Sequence, residues 1–245
     1  MGDGRRSGTV GAGRDTVGVL KRLLDLLIPS RCAACGARGE PCCARCAAVW
    51  GAAREVVRGP TAGLVRVFAL ARYRGVGRRL LIAYKERGRR DLAPSLGRAL
   101  AEALAVLPVV EAAPTIPAAP SARPICLVPA PSRPSAARVR GGPHVERLAH
   151  AAVTTLAAHG IKATVAPALE LAGAARDAVG LTREQRQANL AGRLKFREAG
   201  RPPPGAAIVV LDDVITTGAT AAACTRALTA AGFTVSAVLT LLAAG

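Results

Sequence analysis

Aromatic residues make up only 2% of the 245-residue chain, methionine occurs once, and Lys21, Lys85, Lys162 and Lys195 are its only lysines. Scarce rings leave little material for a base-stacking platform on single-stranded nucleic acid. They also supply no aromatic anchor for a helix lying in a membrane interface. No run of about 18 or more uncharged apolar residues occurs, so the sequence offers no helix to span a bilayer. Arg5 and Arg6 lack the apolar stretch that a twin-arginine export signal requires, and Lys21, Arg22 and Asp25 interrupt the one later candidate. The expectation is a cytoplasmic protein without membrane insertion. Acid is scarce as well: 16 Asp and Glu against 34 Lys and Arg give a net charge of +18. That balance favours anionic partners such as nucleic acid, nucleotides or phosphorylated small molecules. A GC-rich genome produces the same arginine, alanine and glycine bias without any such partner, so charge alone does not decide.

The length suits one ordinary core plus a small appendage. Residues 1–14 are glycine and charge without a period and read as disordered. Residues 15–60 form the appendage. Val17, Leu20, Leu23, Leu24 and Leu27 recur at helical spacing ahead of Pro29, which predicts a short amphipathic helix docked on a neighbour. Then comes "CAACGARGEPCCARC". Cys32 and Cys35, and Cys43 and Cys46, form two pairs, each with two intervening residues, able to close tetrahedrally on one structural Zn2+. Cys42 is an alternative to Cys43 as ligand. In a reducing compartment such a cluster holds metal rather than disulfides. With all four positions filled by protein, no zinc chemistry is expected.

Residues 61–245 form the main domain. A strand or hairpin arm is expected within 63–72, followed by two helices broken near Gly88. The second carries Leu92, Leu96, Leu100, Leu104 and Leu107 on one side. An alanine and proline spacer at 108–124 cannot hold a helix. Beyond it, apolar strands at "ICLVPAP", "ATVAPAL", "AAIVVLDD" and "FTVSAVLTLL" alternate with helices at "HVERLAHAAVTTLAAHG" and "TAAACTRALTAAG". Continuous apolar strands separated by helices predict an α/β fold with a parallel sheet covered on both faces. Ligands of such sheets bind at the carboxyl ends of the strands.

"VVLDDVITTGAT", Val209 to Thr220, falls at such an end. Asp212 and Asp213 are expected to close a strand beginning at Ala207, and Thr216 to Thr220 lead into a helix. Backbone amides at a helix start, beside a glycine that admits close approach, form an anion cradle. Thr216, Thr217 and Thr220 add hydroxyls. Ionised carboxylates only accept hydrogen bonds, so the aspartates call for hydroxyl donors or a metal. A sugar phosphate supplies partners for both. A glycosidase pair is disfavoured because strand neighbours point to opposite faces. A P-loop would need a lysine and a dinucleotide fingerprint a GxGxxG, and neither is present.

This stretch resembles the 5-phosphoribosyl-1-pyrophosphate (PRPP) motif of type I phosphoribosyltransferases. From Val17 to Gly245 the chain resembles the ComF family of competence-associated, phosphoribosyltransferase-like proteins, through "LLIPSRCAACG", "YRGVGRRLLIAYKERGRRDLA", "LVPAPSR", "RVRGGPHVERLA", "DAVGLTREQRQANLAGRLKF" and the PRPP loop. The resemblance implies a type I phosphoribosyltransferase-like parallel sheet flanked by helices, with a small N-terminal four-cysteine zinc-binding module. It implies that Asp212 and Asp213 face ribose hydroxyls and that Thr216, Thr217, Gly218, Ala219 and Thr220 wrap the 5-phosphate. It places pyrophosphate, with Mg2+, at Ala130, Pro131, Ser132 and Arg133. Arg183, Arg186 and Asn189 fall in the family's flexible loop segment, where Ala178 replaces a frequent glutamine.

Three functions follow from the resemblance. The first is a PRPP-binding protein of DNA uptake that acts with single-stranded DNA and a DNA-translocating helicase. The second is an active salvage phosphoribosyltransferase, for which Tyr73, Tyr84 and Trp50 are the candidate rings to hold a base. The third is a zinc-module interaction protein regulated by PRPP. The remaining polar residues read as ordinary. His144, His150 and His159 lack metal spacing and are expected on surface helix or loop positions, Cys126 and Cys224 in the core. Lys85 and Arg87 fit either a solvated helix end or an approach to phosphate.

Overall fold

The computed structural model describes residues 30–107, 123–132, 142–171 and 193–245. The helix expected over 17–27, most of the spacer, Arg133, and Arg183, Arg186 and Asn189 lie outside the described residues. Eight strands are described: β1 Arg54–Glu55, β2 Val67–Arg72, β3 Ile125–Pro129, β4 Ala163–Val165, β5 Leu169–Leu171, β6 Leu194–Phe196, β7 Ala207–Ile215 and β8 Val235–Ala243. The helices are α1 Ala44–Ala47, α2 Gly75–Glu86, α3 Ala93–Ala105, α4 His144–Ala158 and α5 Ala219–Ala230.

Six strands form one sheet in the order β1-β2-β8-β7-β3-β4. All neighbours are parallel except β1, which runs antiparallel to β2. The long apolar strands β7 and β8 are central because each must bury both faces. Alternation along β7 sends Val209 and Leu211 to one side and Ile208 and Val210 to the other. The first side is covered by leucines of α2, α3 and α4, including Leu80, Leu100, Leu104 and Leu156. The second is covered by Cys224 and Leu228 of α5 and by the antiparallel β5–β6 ribbon. The single strand expected at "ATVAPAL" is split into β4 and β5, since Pro167 between them has no backbone N–H to give a ladder. The break near Gly88 is present: α2 stops at Glu86 and a 3-10 turn at Arg90–Leu92 leads into α3.

The cysteine module has no separate interior. Cys32, Cys42 and Cys46 belong to the same buried cluster as Phe68, Leu70 and Tyr84. Arg79 on α2 donates from Nε to the Ala34 carbonyl at 2.9 Å, and Arg89 donates from Nη2 to the Arg31 carbonyl at 2.9 Å.

Helices α3 and α4 touch through Gly97. A Cβ there would lie 2.8 Å from the Ala151 carbonyl carbon and 2.9 Å from the Ala152 nitrogen. Gly to Ala within a helix ordinarily stabilises by about 0.5–1 kcal/mol. Here the nearest atom is Ala151 Cβ with backbone beside it, none of which can swing aside, and overpacking of this kind costs about 1–3 kcal/mol. Gly97→Ala is therefore expected to lower the denaturation midpoint. An unchanged or raised midpoint would mean that the two helices can separate freely.

Candidate functional site

The aspartate pair lies at the carboxyl end of β7, inside the strand rather than after it. Ala207–Ile215 is longer than expected, so strand alternation still governs Asp212 and Asp213 and sends them to opposite faces.

Asp212 turns toward α5. It lines a small open cleft with Thr216, Gly218, Ala219, Thr220 and Thr240. Gly218 caps α5 with φ +85°, a left-handed conformation that glycine adopts without strain. Thr217 lies in the turn, its Oγ1 accepting from the Ala219 nitrogen at 3.4 Å. One oxygen of Asp212 accepts from the Asp213 amide at 2.8 Å. Burial, with the charge of Asp213 next in size, pushes the Asp212 carboxyl up to about 7. Near neutral pH it can therefore accept from a sugar hydroxyl, donate to an oxygen, or release its proton to water when a cation binds in its place.

Asp213 turns the other way and is only 4% exposed. Its Oδ2 lies 2.6 Å from Lys85 Nζ at the end of α2 and 2.7 Å from His144 Nε2 at the start of α4. Burial alone would raise this carboxyl. The hydrogen bond from His144 and the ammonium of Lys85 outweigh it and hold Asp213 well below the usual carboxylate range. A carboxylate only accepts, so Nε2 donates to it, and the imidazole Nδ1 is left facing Ser132 Oγ at 3.2 Å. The phenol of Tyr84 fixes the start of α4 by donating to the His144 carbonyl at 2.7 Å.

The segment after β3 joins this cluster unevenly. Ala130 is buried, with its amide on the Leu211 carbonyl at 2.8 Å, whereas Pro131 and Ser132 are half-buried. Ser132 thus reaches Asp213 through His144, while Asp212 and the threonine loop stand on the opposite face.

The surface position expected for His144 is incorrect. Its side chain is buried because it falls on the inward face of α4, four residues before Leu148 and in line with Ala152 and Leu156. That spacing is visible in the sequence, and it separates His144 from His150 and His159, which are exposed. Lys85 likewise follows Leu81 by one turn, and its amino group ends on the carboxylate rather than in solvent. Of the three candidate rings, Tyr84 is buried with its hydroxyl engaged. Trp50 packs beside Gly77 with its Nε1 buried and, among the described residues, without a hydrogen-bond partner. Tyr73 is half-buried, with the Arg78 guanidinium 5.7 Å from its ring centre.

The second candidate site is the thiol cluster. The sulfurs of Cys32, Cys35, Cys43 and Cys46 all lie within 4.8 Å of one another, and those of Cys35 and Cys43 are 3.7 Å apart. A tetrahedron with metal–sulfur bonds of about 2.3 Å has edges of roughly 3.8 Å, so the set fits a zinc-sized ion. Burial raises Cys32, yet backbone amides at Cys43, Ala34 and Cys35 bring it down to about 6. Burial and the neighbouring sulfurs together drive Cys46 up. A central cation removes that conflict, since it stabilises all four thiolates at once. Cys42 is outside the set: it is buried in the main core and pushed up to about 11 by that burial. Cys43 is therefore the fourth donor. Cys126 and Cys224 are core thiols.

Compared with models of known protein families and with curated proteins, the chain matches none.

Proposed function

We propose that the chain is a PRPP-binding, phosphoribosyltransferase-like protein of the ComF type, with its sugar-phosphate site in the cleft between Asp212 and the start of α5. One observation carries this reading. A carboxyl poised near neutrality and a small-residue loop with a left-handed glycine meet at the carboxyl end of the central parallel strand. The loop amides receive the 5-phosphate, and Asp212 accepts from a ribose hydroxyl. Mg2+, a hard ion that favours carboxylate and phosphate oxygens, would neutralise the charge of the pyrophosphate when bound with it, and Asp212 is the carboxylate of the cleft that could help to hold it. Ser132, after β3, is held by His144 on the other face of the sheet and is not among the residues that line this cleft. Asp213 acts from behind, as the anion that holds Lys85 and His144 in place.

The parallel sheet and its flanking helices are consistent with a type I phosphoribosyltransferase-like fold. In a transferase reaction a base would form the new bond to the anomeric carbon as pyrophosphate leaves with its bonding electron pair, and the ionised form of Asp212, which lines the cleft, would stabilise the positive charge that grows on the ribose ring. The link to DNA uptake, with single-stranded DNA and a translocating helicase as partners in the cytoplasm, rests on the family resemblance and on the net charge of +18.

A thermal melt with PRPP and Mg2+ tests the reading. Ligand at about 100 times its dissociation constant adds roughly 2.7 kcal/mol to stability, which is readily seen as a shift. Asp212→Ala is expected to abolish that shift while leaving the unliganded protein folded. Equal shifts in the native and substituted proteins would move the ligand to another site. No shift in the native protein would refute PRPP binding.

A further inference from the structure

The turn between β7 and α5 is held from outside by one arginine, far from it in sequence. Arg58 donates from Nε to the Thr216 carbonyl at 2.7 Å and from Nη2 to the Ala244 carbonyl at 2.6 Å. Its Nη1 is on the Val57 carbonyl at 2.9 Å. These three nitrogens all end on carbonyl oxygens, so the bonds are charge-assisted on the donor side and no acid is consumed in making them. The aliphatic stem is used as well. A Cβ on Gly218 would meet Arg58 Cβ at 2.9 Å and Thr61 Cγ2 at 3.3 Å, so the segment carrying Arg58 occupies the space beside the glycine. Thr61 is itself buried and donates from Oγ1 back to the Arg58 carbonyl at 3.1 Å, which fixes the arginine's own backbone.

Two consequences follow for the loop. A carbonyl and the next N–H point in opposite directions across one rigid peptide plane. Fixing the Thr216 carbonyl on the guanidinium therefore fixes the Thr216–Thr217 plane, the first of the turn. The guanidinium also brings a full positive charge to the back of a segment whose front lines the cleft, a favourable position relative to any anion held there.

We propose that Arg58 is the positioning residue of this anion loop: by bridging the Thr216 and Ala244 carbonyls it holds the turn in its phosphate-receiving shape and places a cation behind it. The proposal rests on the sugar-phosphate reading of the cleft. It adds a residue outside the motif, on the segment that follows the cysteine module, as a determinant of phosphate affinity. A ligand phosphate and Arg58 then act on the loop from opposite sides.

The test uses the full chain with Arg58→Gln, which loses the charge, and Arg58→Lys, which keeps it but loses the fork. Hydrogen exchange at the amides of 216–220 is measured without ligand, and affinity for ribose 5-phosphate by calorimetry. In Arg58→Gln, loop exchange is expected to accelerate selectively while β7 and β8 keep native protection. Affinity is expected to fall on the order of 10-fold to 100-fold, as for loss of charge-assisted hydrogen bonds. Arg58→Lys is expected to recover part of that affinity, which loss of the fork alone would not produce. Native loop exchange in Arg58→Gln, or affinities within about twofold of native in both variants, would overturn the proposal. If the native protein does not bind ribose 5-phosphate, the sugar-phosphate reading falls. Exchange at the loop still decides whether Arg58 holds it.

Discussion

Removing the metal from Cys32, Cys35, Cys43 and Cys46 is expected to lower the melting temperature of the whole chain, not only to loosen the segment that carries the cysteines. Two observations lead there. The four sulfurs lie close enough to serve one ion, and Cys32 and Cys46 are buried in the same cluster as Phe68, Leu70 and Tyr84. Structural zinc contributes apparent free energies of about 10–16 kcal/mol in isolated peptides. Whole domains are stable by only about 5–15 kcal/mol. A shared core gives the two no independent way to melt, so metal loss should reach α2 through Arg79 and the turn after it through Arg89, both of which hold the module by its carbonyls.

Two serine substitutions separate the neighbouring thiols. Cys43→Ser should reduce bound zinc from about one equivalent to near none, with the loss of stability that chelation causes. Cys42→Ser should keep its zinc and lose only about 1–3 kcal/mol, the cost of a poorly satisfied hydroxyl in an apolar site. Metal analysis and denaturant melts read both. A chelated protein that melts at the native temperature would show that the cluster is not a structural metal centre. Zinc lost from Cys42→Ser but kept in Cys43→Ser would reverse the ligand assignment.

The uneven legibility of these sites has a physical pattern. The cysteine pairs and the loop after β7 are local, and local spacing carries most of their geometry. The choice of Cys43 over Cys42 is not local, because it depends on which of the two thiols is buried in the core that the module shares with the rest of the fold. The division of Asp212 from Asp213 follows from strand alternation, but only if the strand is known to continue to Ile215. The partners of Asp213 come from α2 and α4, and the partner of Thr216 from the segment before β2. Such long-range polar contacts leave no period in the chain. His144 is intermediate: its place on the apolar face of α4 is legible, whereas the carboxylate it meets is not.

Replacing Asp213 is expected to destabilise the fold more than replacing its neighbour Asp212. Asp213→Ala leaves Lys85 and His144 facing a buried gap, and breaking a buried ion pair from one side costs about 3–5 kcal/mol. Asp213→Asn keeps the shape without the charge, so it should also be destabilising. The two aspartates also oppose each other in pH dependence. For Asp213, whose folded value lies below the ordinary 3.8, the native state holds its proton less tightly than the unfolded chain. Its contribution is therefore fully present above about pH 4 and is lost as pH falls toward the folded value. For Asp212, raised to about 7, the native state keeps a proton that the unfolded chain has released. Stability from this group falls as pH rises from about 4 to about 7, by up to roughly 1.4 kcal/mol per pH unit, and is flat above. Asp212→Asn removes that slope, so at pH 8 it should be more stable than the native chain even as it loses ligand. Denaturant titrations of the native, Asp212→Asn and Asp213→Asn proteins across pH 3–8 measure both effects. A native midpoint for Asp213→Ala, or a pH slope between 4 and 7 unchanged by Asp212→Asn, would mean that these carboxyls are solvated and that neither cluster is formed in solution.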